Sequence, residues 1–230
     1  MIVQDEQQAR DFCAGLVDPA GLARLDRLAA MVVEENALQN LIAKASEQAI
    51  WSRHFADSAQ LLLHVADSGA ASLPSGREGV GKPKAGAWLD LGTGAGFPGL
   101  VIAAMRPEIP VVLVESRKRR VDWLERAADE LDLGHCRVEG RRLEHVQTFS
   151  AGVISARAFA PLSRLFVLSA RFSTQDTLWL LPKGRSAVQE VKSLPREVAN
   201  MFHVEHSVTD PDAGIVVGVG RPAGNGLEGV

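Results

Sequence analysis

From residue 87 to residue 219, short β-rich apolar runs alternate with amphipathic helical stretches, and this alternation leaves few folds open. The runs are Ala87–Leu91, Val111–Glu115, His135–Glu139, Val153–Ala156, Thr177–Leu181, Phe202–Val208 and Ile215–Val219. Helical stretches separate the earlier runs, notably Arg117–Leu131 and Pro161–Phe172. Strands that read as continuous apolar runs between helices are buried on both faces, which is the signature of a parallel sheet. Only Thr209–Gly214 joins the last two runs, too few residues for a crossover helix, so they are expected to pair antiparallel at the sheet edge. The expected fold class is α/β: a seven-stranded, mostly parallel, Rossmann-like sheet with a terminal antiparallel hairpin and a helical N-terminal extension.

The extension covers residues 1–66. Apolar residues recur at three- and four-residue steps over Gln4–Val17 and Leu22–Leu41, with a break at Asp18-Pro19. A third helix is expected to begin near Ser46, as N-cap, and to run through Leu63. Residues 67–86, rich in Gly, Ser, Pro and Lys, read as a linker; residues 87–220 form the ligand-binding domain, and 221–230 a frayed tail. A net charge of −3 excludes a broadly basic nucleic-acid coat but leaves room for a local patch. The two cysteines, Cys13 and Cys136, lie far apart without metal-ligand spacing, so no disulfide scaffold or structural metal is expected. No run reaches the roughly 18 apolar residues that cross a bilayer, and the acidic start Met1–Glu6 lacks the features of a secretory signal. The expectation is a cytoplasmic monomer with no membrane partner.

The most informative stretch is Asp90-Leu91-Gly92-Thr93-Gly94-Ala95-Gly96-Phe97-Pro98-Gly99. A strand ends at Leu91, glycines turn the chain sharply, and a helix is expected to open near Pro98. A ligand can approach bare main chain there, at the carboxyl end of a strand. Two cofactors compete for this turn. Gly94, Gly96 and Gly99 satisfy the dinucleotide spacing GxGxxG, with Glu115 well placed for a ribose hydroxyl. Asp90 followed by Gly92, Gly94 and Gly96 is also similar to motif I of S-adenosylmethionine-dependent methyltransferases. A carboxylate before the turn would repel a pyrophosphate yet suit the cationic amino-acid end of S-adenosylmethionine, so the motif leans towards methyl transfer.

The same ten residues resemble the signature of the ribosomal RNA small subunit methyltransferase G family, also called glucose-inhibited division protein B. Further matches follow in order: Asn40-Leu41, Arg53–Ser58, Glu115-Ser116, Ala156–Leu162 and Pro182-Lys183-Gly184. The chain departs from the family pattern at Glu34-Glu35-Asn36 and Ile42 and in its longer linker. The resemblance implies methylation of N7 of a guanine in 16S rRNA, or in the small ribosomal subunit, with S-adenosylmethionine as donor. It also implies cofactor contacts at Gly92, Phe97, Leu143, Glu144 and Arg157, with Glu115 at the ribose.

The residues agree with that chemistry independently. Guanine N7 carries a free lone pair, so its methylation needs positioning rather than a dedicated base. The end of the fourth strand reads Ser155-Ala156-Arg157-Ala158-Phe159-Ala160-Pro161, without the Pro-Pro-aromatic element of amino-group methyltransferases, and the chain has no tyrosine. Cys13 and Cys136 fall inside a helix and a strand and read as packed thiols rather than nucleophiles. Arg157, at a strand end, is the candidate catalytic residue; it would face a phosphate, guanine O6 or the methionine carboxylate. Arg117, Lys118 and Arg141 are candidate RNA contacts, while Lys183 reads equally well as an RNA contact or a solvated lysine. The run Arg117–Arg120 opens a helix, where positive charge opposes the dipole, so a purpose outside that helix is expected. His54 and Asp57 share a helix face and read as a pair at the domain junction, and Phe97 and Phe159 as stacking or core aromatics. The rival readings are a small-molecule methyltransferase and a non-catalytic ribosome-binding module of the same fold.

Overall fold

The computed structural model describes residues 2–65 and 86–222. Seven strands, β1 (Ala87–Leu91), β2 (Val111–Val114), β3 (Cys136–Glu139), β4 (Ala151–Ala156), β5 (Leu178–Gly184), β6 (Phe202–His206) and β7 (Gly214–Val219), form one sheet in the order β3-β2-β1-β4-β5-β7-β6. The first five run parallel, and β7 enters antiparallel between β5 and β6. Each strand lies within three residues of its sequence expectation. The largest shift is in β5, which continues through Pro182-Lys183-Gly184.

Alternation along the strands divides the core. Trp88, Val111, Leu113, Val153, Leu178 and Val217 face one layer; Leu89, Leu91, Val112, Val114, Ile154, Trp179 and Val216 face the other. The first layer holds α1 (Glu6–Ala14), α2 (Pro19–Gln39), α4 (Gly99–Met105) and α5 (Lys118–Glu130). The second holds α6 (Leu162–Ser169), α7 (Ala187–Lys192) and α8 (Arg196–Ala199). The N-terminal helices therefore share a core with the sheet, with Leu25, Leu28 and Val32 buried in the same cluster as Ile102 and Leu124.

Local chemistry explains the helix starts. Asp5 and Asp18 accept hydrogen bonds from the amides of Gln8 and Gly21, so Asp18-Pro19 is an N-cap with proline in the first turn of α2. The third N-terminal helix differs from expectation. Ser46 is not its cap, and residues 44–64 pass through 3-10 (Lys44–Ala49), π (Trp51–Ala56), α3 (Asp57–Ala59) and 3-10 (Gln60–His64) turns. Tertiary bonds override the helical repeat there. Glu6 accepts from the amides of Trp51 and Ser52 at 2.9 and 2.8 Å, and Gln60 reaches Ser207 and the amide of Val208.

The basic run at the start of α5 has the outside purpose its position required. Arg119 donates to the carbonyl of Leu38, and Arg120 to those of Asn40 and Leu41, at 2.7–3.1 Å. These guanidiniums satisfy orphan carbonyls at and just beyond the C-terminus of α2, where positive charge also favours the helix dipole. The expected linker falls almost wholly, and the expected tail largely, outside the described residues.

Candidate functional site

The glycine turn sits at the carboxyl ends of the parallel strands. Gly92, Gly94 and Gly96 all have positive φ (64, 60 and 106°), a region that side chains rarely enter. Their surroundings differ. A side chain at Gly92 would strike the Phe159 ring at 2.4 Å, and one at Gly96 would strike Leu100 at 2.4 Å. One at Gly94 would find only the Gly92 carbonyl at 3.7 Å and the Arg117 guanidinium at 3.8 Å. Gly94 therefore borders open space, whereas Gly96 serves the packing of α4.

Asp90 lies beneath the turn. Strand register sets it opposite Ser155, whose hydroxyl donates to Asp90 Oδ1 at 2.7 Å and accepts from the Trp88 indole at 2.8 Å. Asp90 Oδ2 accepts from the amide of Gly99 at 3.0 Å, where α4 begins. Burial pushes the Asp90 carboxyl above its usual range, only partly offset by these donors. Its two oxygens brace the turn from below, which corrects the expectation that it faces the cationic end of a cofactor.

A cleft of about 250 Å³ opens above the turn, lined by Gly92, Val114, Glu115, Ser116, Arg117, Arg141, Arg142, Leu143, Ala158 and Phe159. Glu115 Oε1 accepts from the amides of Ser116 and Arg117, and the Arg117 guanidinium closes on both oxygens at 3.2 and 3.0 Å. Burial pushes this carboxyl up, but Arg117 and the two amides outweigh it and hold Glu115 below the usual carboxylate range. Leu143 is buried, and its carbonyl accepts from Arg171, which also reaches Thr148. Arg171 thus fixes one wall of the cleft, a role that no local sequence signal announces. Glu144 is exposed beside that wall and is not among the lining residues.

Arg157, Phe97, His54 and Asp57 form a second group. The Arg157 guanidinium donates to Asp57 Oδ2 at 3.2 Å, the Arg53 carbonyl at 3.3 Å and His54 Nδ1 at 3.1 Å, and it lies over the Phe97 ring at 5.4 Å. His54 stacks on the Phe97 ring, with centroids 4.9 Å apart. Because arginine only donates, His54 Nδ1 must accept, and the proton of the neutral ring is on Nε2. Burial, then the charges of Arg157 and Arg53, drive the His54 pKa down to about 3. Phe97 is 2% exposed and its ring belongs to this junction, outside the lining of the cleft. The His54–Asp57 pair is the clamp that holds Arg157.

The basic candidates separate. Lys118 is exposed and paired with Asp122, and Arg141 is exposed beside Glu139 at the cleft rim. Arg117 pairs with Glu115 and stays largely exposed at the rim of the cleft. Lys183 is corrected. Its side chain is 7% exposed, donating to the Ala160 carbonyl at 2.5 Å and paired with Glu190 at 3.0 Å, so it ties the loop after β4 to α7. Cys13 is buried and Cys136 partly so, and burial raises both thiols to about 12, far from nucleophilic thiolates.

A glycine turn bordering open space, an acid at the end of β2 and a lined cleft between them fit the adenosine end of S-adenosylmethionine, and β7 between β5 and β6 completes the sheet of that enzyme class. The protein is an S-adenosylmethionine-dependent methyltransferase. A crystal structure of a MtNAS mutant in complex with S-adenosylmethionine shares the fold, with a TM-score of 0.50 and 11% identity over 94% of this chain and 77% of that one. The chain belongs to the GidB family, rRNA small subunit methyltransferase G, whose model matches residues 22–213. Relatives with the name Ribosomal RNA small subunit methyltransferase G include one from Erythrobacter litoralis, 53% identical over 96% of this chain and 99% of that protein. Another, from Novosphingobium aromaticivorans, is 52% identical over 88% of this chain and 82% of its own length.

Proposed function

We propose that the chain transfers a methyl group from S-adenosylmethionine to N7 of a guanine in 16S rRNA of the small ribosomal subunit. The observation that carries this reading is the end of β4. Beside a lined cofactor cleft it presents Arg157, held by three partners, and the segment Ala156–Pro161 carries no carboxylate or imidazole of its own to remove a proton. A ring nitrogen with a free lone pair needs only alignment and electrostatic support.

Bound S-adenosylmethionine supplies an electrophilic methyl group on a sulfonium sulfur. Around it, Glu115 would accept the ribose hydroxyls, Gly92 and Gly94 would admit the ligand to the main chain, and Leu143 would pack against its base. Glu144 and the Phe97 backbone complete the proposed contacts. Arg157 would orient the guanine through O6 or the cofactor through its carboxylate, both of which suit a fixed fork of donors. The exposed rim of Lys118, Arg141 and Arg142 would meet phosphates. Residues 1–66 would assist RNA docking as a unit joined to residues 87–220 by the linker, and the enzyme would act as a cytoplasmic monomer. Among the described residues no helix is long and apolar enough to cross a membrane.

Mass spectrometry of 16S rRNA from cells with and without the gene, followed by methylation of the deficient subunits with purified protein, tests the reading. N7-methylguanine should appear at one position only when the protein is present. A methyl group on another atom, or activity confined to free metabolites, overturns it.

A further inference from the structure

The cleft above the glycine turn is not the largest opening at this end of the sheet. A second cavity, of about 430 Å³, lies on the far side of the β4 terminus. Arg157 lines this second cavity, while Ala158 and Phe159, the next residues, line the first. Its walls come from five separate parts of the chain: Val3 and Gln4; Ala49–Asp57; Arg157; Pro182 and Gly184 at the end of β5; and Ser207–Ile215, around the turn between β6 and β7. In open α/β sheets a ligand binds beyond the carboxyl ends of the strands, and the volume falls within the roughly 300–1,000 Å³ of small-ligand sites.

We infer that this cavity receives the acceptor guanine, unstacked from the RNA, and that Asp210 reads its amino edge; the inference rests on the proposed methylation of guanine N7. The chemistry of the walls sets the orientation. In guanine the N7 and O6 acceptors lie towards one edge, and the N1–H and N2–H₂ donors towards the other. The reacting N7 must face the cofactor cleft, which places it and O6 beside Arg157, a pure donor. The donor edge then points away from Arg157, and the inference turns it towards Asp210, a lining residue from the turn between β6 and β7. Asp57 is a poor reader, because its oxygens already serve Gln60, Thr209 and Arg157. Asp210 commits one oxygen, Oδ1, to the amide of Asp212 at 2.9 Å and retains the other. Pro182 and Ile215 offer apolar surface to the base faces. A base pulled from its stack into a fitted pocket and read along its polar edge is how nucleic-acid enzymes commonly reach a ring atom.

Two substitutions test this. Asp210→Asn keeps an oxygen for the Asp212 amide but replaces the free carboxylate oxygen with an amide. Ala213→Phe fills the cavity from a half-exposed turn. Each should lower single-turnover methylation of small subunits roughly tenfold to a hundredfold, the range of one charge-assisted hydrogen bond. Affinity for S-adenosylmethionine by calorimetry and the thermal melt should stay at wild-type values. The sharper readout compares rRNA carrying guanosine or inosine, which lacks the N2 amino group, at the methylated position. Wild type should prefer guanosine, and Asp210→Asn should lose that preference. Full retention of rate or preference in Asp210→Asn, wild-type rate in Ala213→Phe, or loss of cofactor affinity in either variant overturns the assignment. If the wild-type protein makes no N7-methylguanine, the proposed function fails rather than the pocket.

Discussion

Arg157→Ala should weaken the protein as well as slow it, a double effect that follows from where the side chain sits. The guanidinium and its partner Asp57 are only 25% and 21% exposed, so the ion pair at 3.2 Å is poorly screened. The substitution also removes donors to the Arg53 carbonyl and His54 Nδ1 and the contact over Phe97. Buried charge-assisted hydrogen bonds contribute about 1.5–3 kcal/mol and a cation–π contact about 0.5–1 kcal/mol. The distances here, 3.1–3.3 Å, are long, and Asp57 keeps Gln60 and Thr209 as donors. A total near the lower end, about 2–3 kcal/mol, is therefore expected. In a domain of this size each kcal/mol moves the melting temperature about 2–4 °C, so the midpoint should fall by about 4–12 °C. Arg157→Lys should recover part of that, since an ammonium on a flexible stem cannot hold all three partners. Differential scanning calorimetry gives the stability, and single-turnover transfer from tritiated donor gives the rate, expected to fall roughly tenfold to a hundredfold. An alanine variant with an unchanged midpoint would refute the clamp, and one with a wild-type rate would remove Arg157 from the chemistry.

Gly94→Val should abolish S-adenosylmethionine binding in a titration, because φ is +60° and the side chain would enter open space beside Arg117, a residue of the cleft wall; the strained turn should lower the melting midpoint slightly. Stability should fall with acidity through His54. Its folded pKa, about 3, lies below the unfolded value of about 6.5, so the unfolded chain binds more protons between the two. The loss should start below about pH 6.5, approach at most about 1.4 kcal/mol per pH unit and be complete near pH 3, and His54→Gln should flatten it in urea titrations at several pH values. Lys183→Ala should cost about 1–3 kcal/mol through loss of the ion pair with Glu190, which keeps the Ser186 hydroxyl and Leu162 amide as donors, while leaving the salt dependence of RNA binding unchanged. Arg141→Ala should do the reverse, reducing the log–log salt slope by about one with little change in the melt.

The strands were legible because each is apolar, short and bounded by turn residues, and β1 through β7 lie close to their sequence positions. The glycine turn and Glu115 were legible for the same reason, since local spacing alone brings them together. Residues 44–64 were not: the apolar spacing there fits a helix, but Glu6 and Gln60 hold backbone groups that a regular helix would leave elsewhere. Asp90 and Lys183 were misread because strand-end position says nothing about which way a side chain turns, and only the register with Ser155 and the approach of Glu190 decide it. Arg119 and Arg120 were half legible. The sequence shows positive charge where a helix dislikes it, but not the α2 carbonyls that receive it.

The place of β7 in the sheet bears on how the molecule is assembled during synthesis. The strand lies between β5 and β6 yet is the last of the seven to leave the ribosome. Until it arrives, β5 has a free edge at Leu178–Leu181, a row of unpaired backbone groups on an apolar strand. The glycine turn, Glu115 and Arg157 are by then all translated. The turn Ser207–Gly214, which walls the second cavity, comes only with the closing hairpin. A nascent chain would thus gain the means to hold its methyl donor before it has a complete place for an acceptor, so capacity to modify RNA arrives together with closure of the sheet.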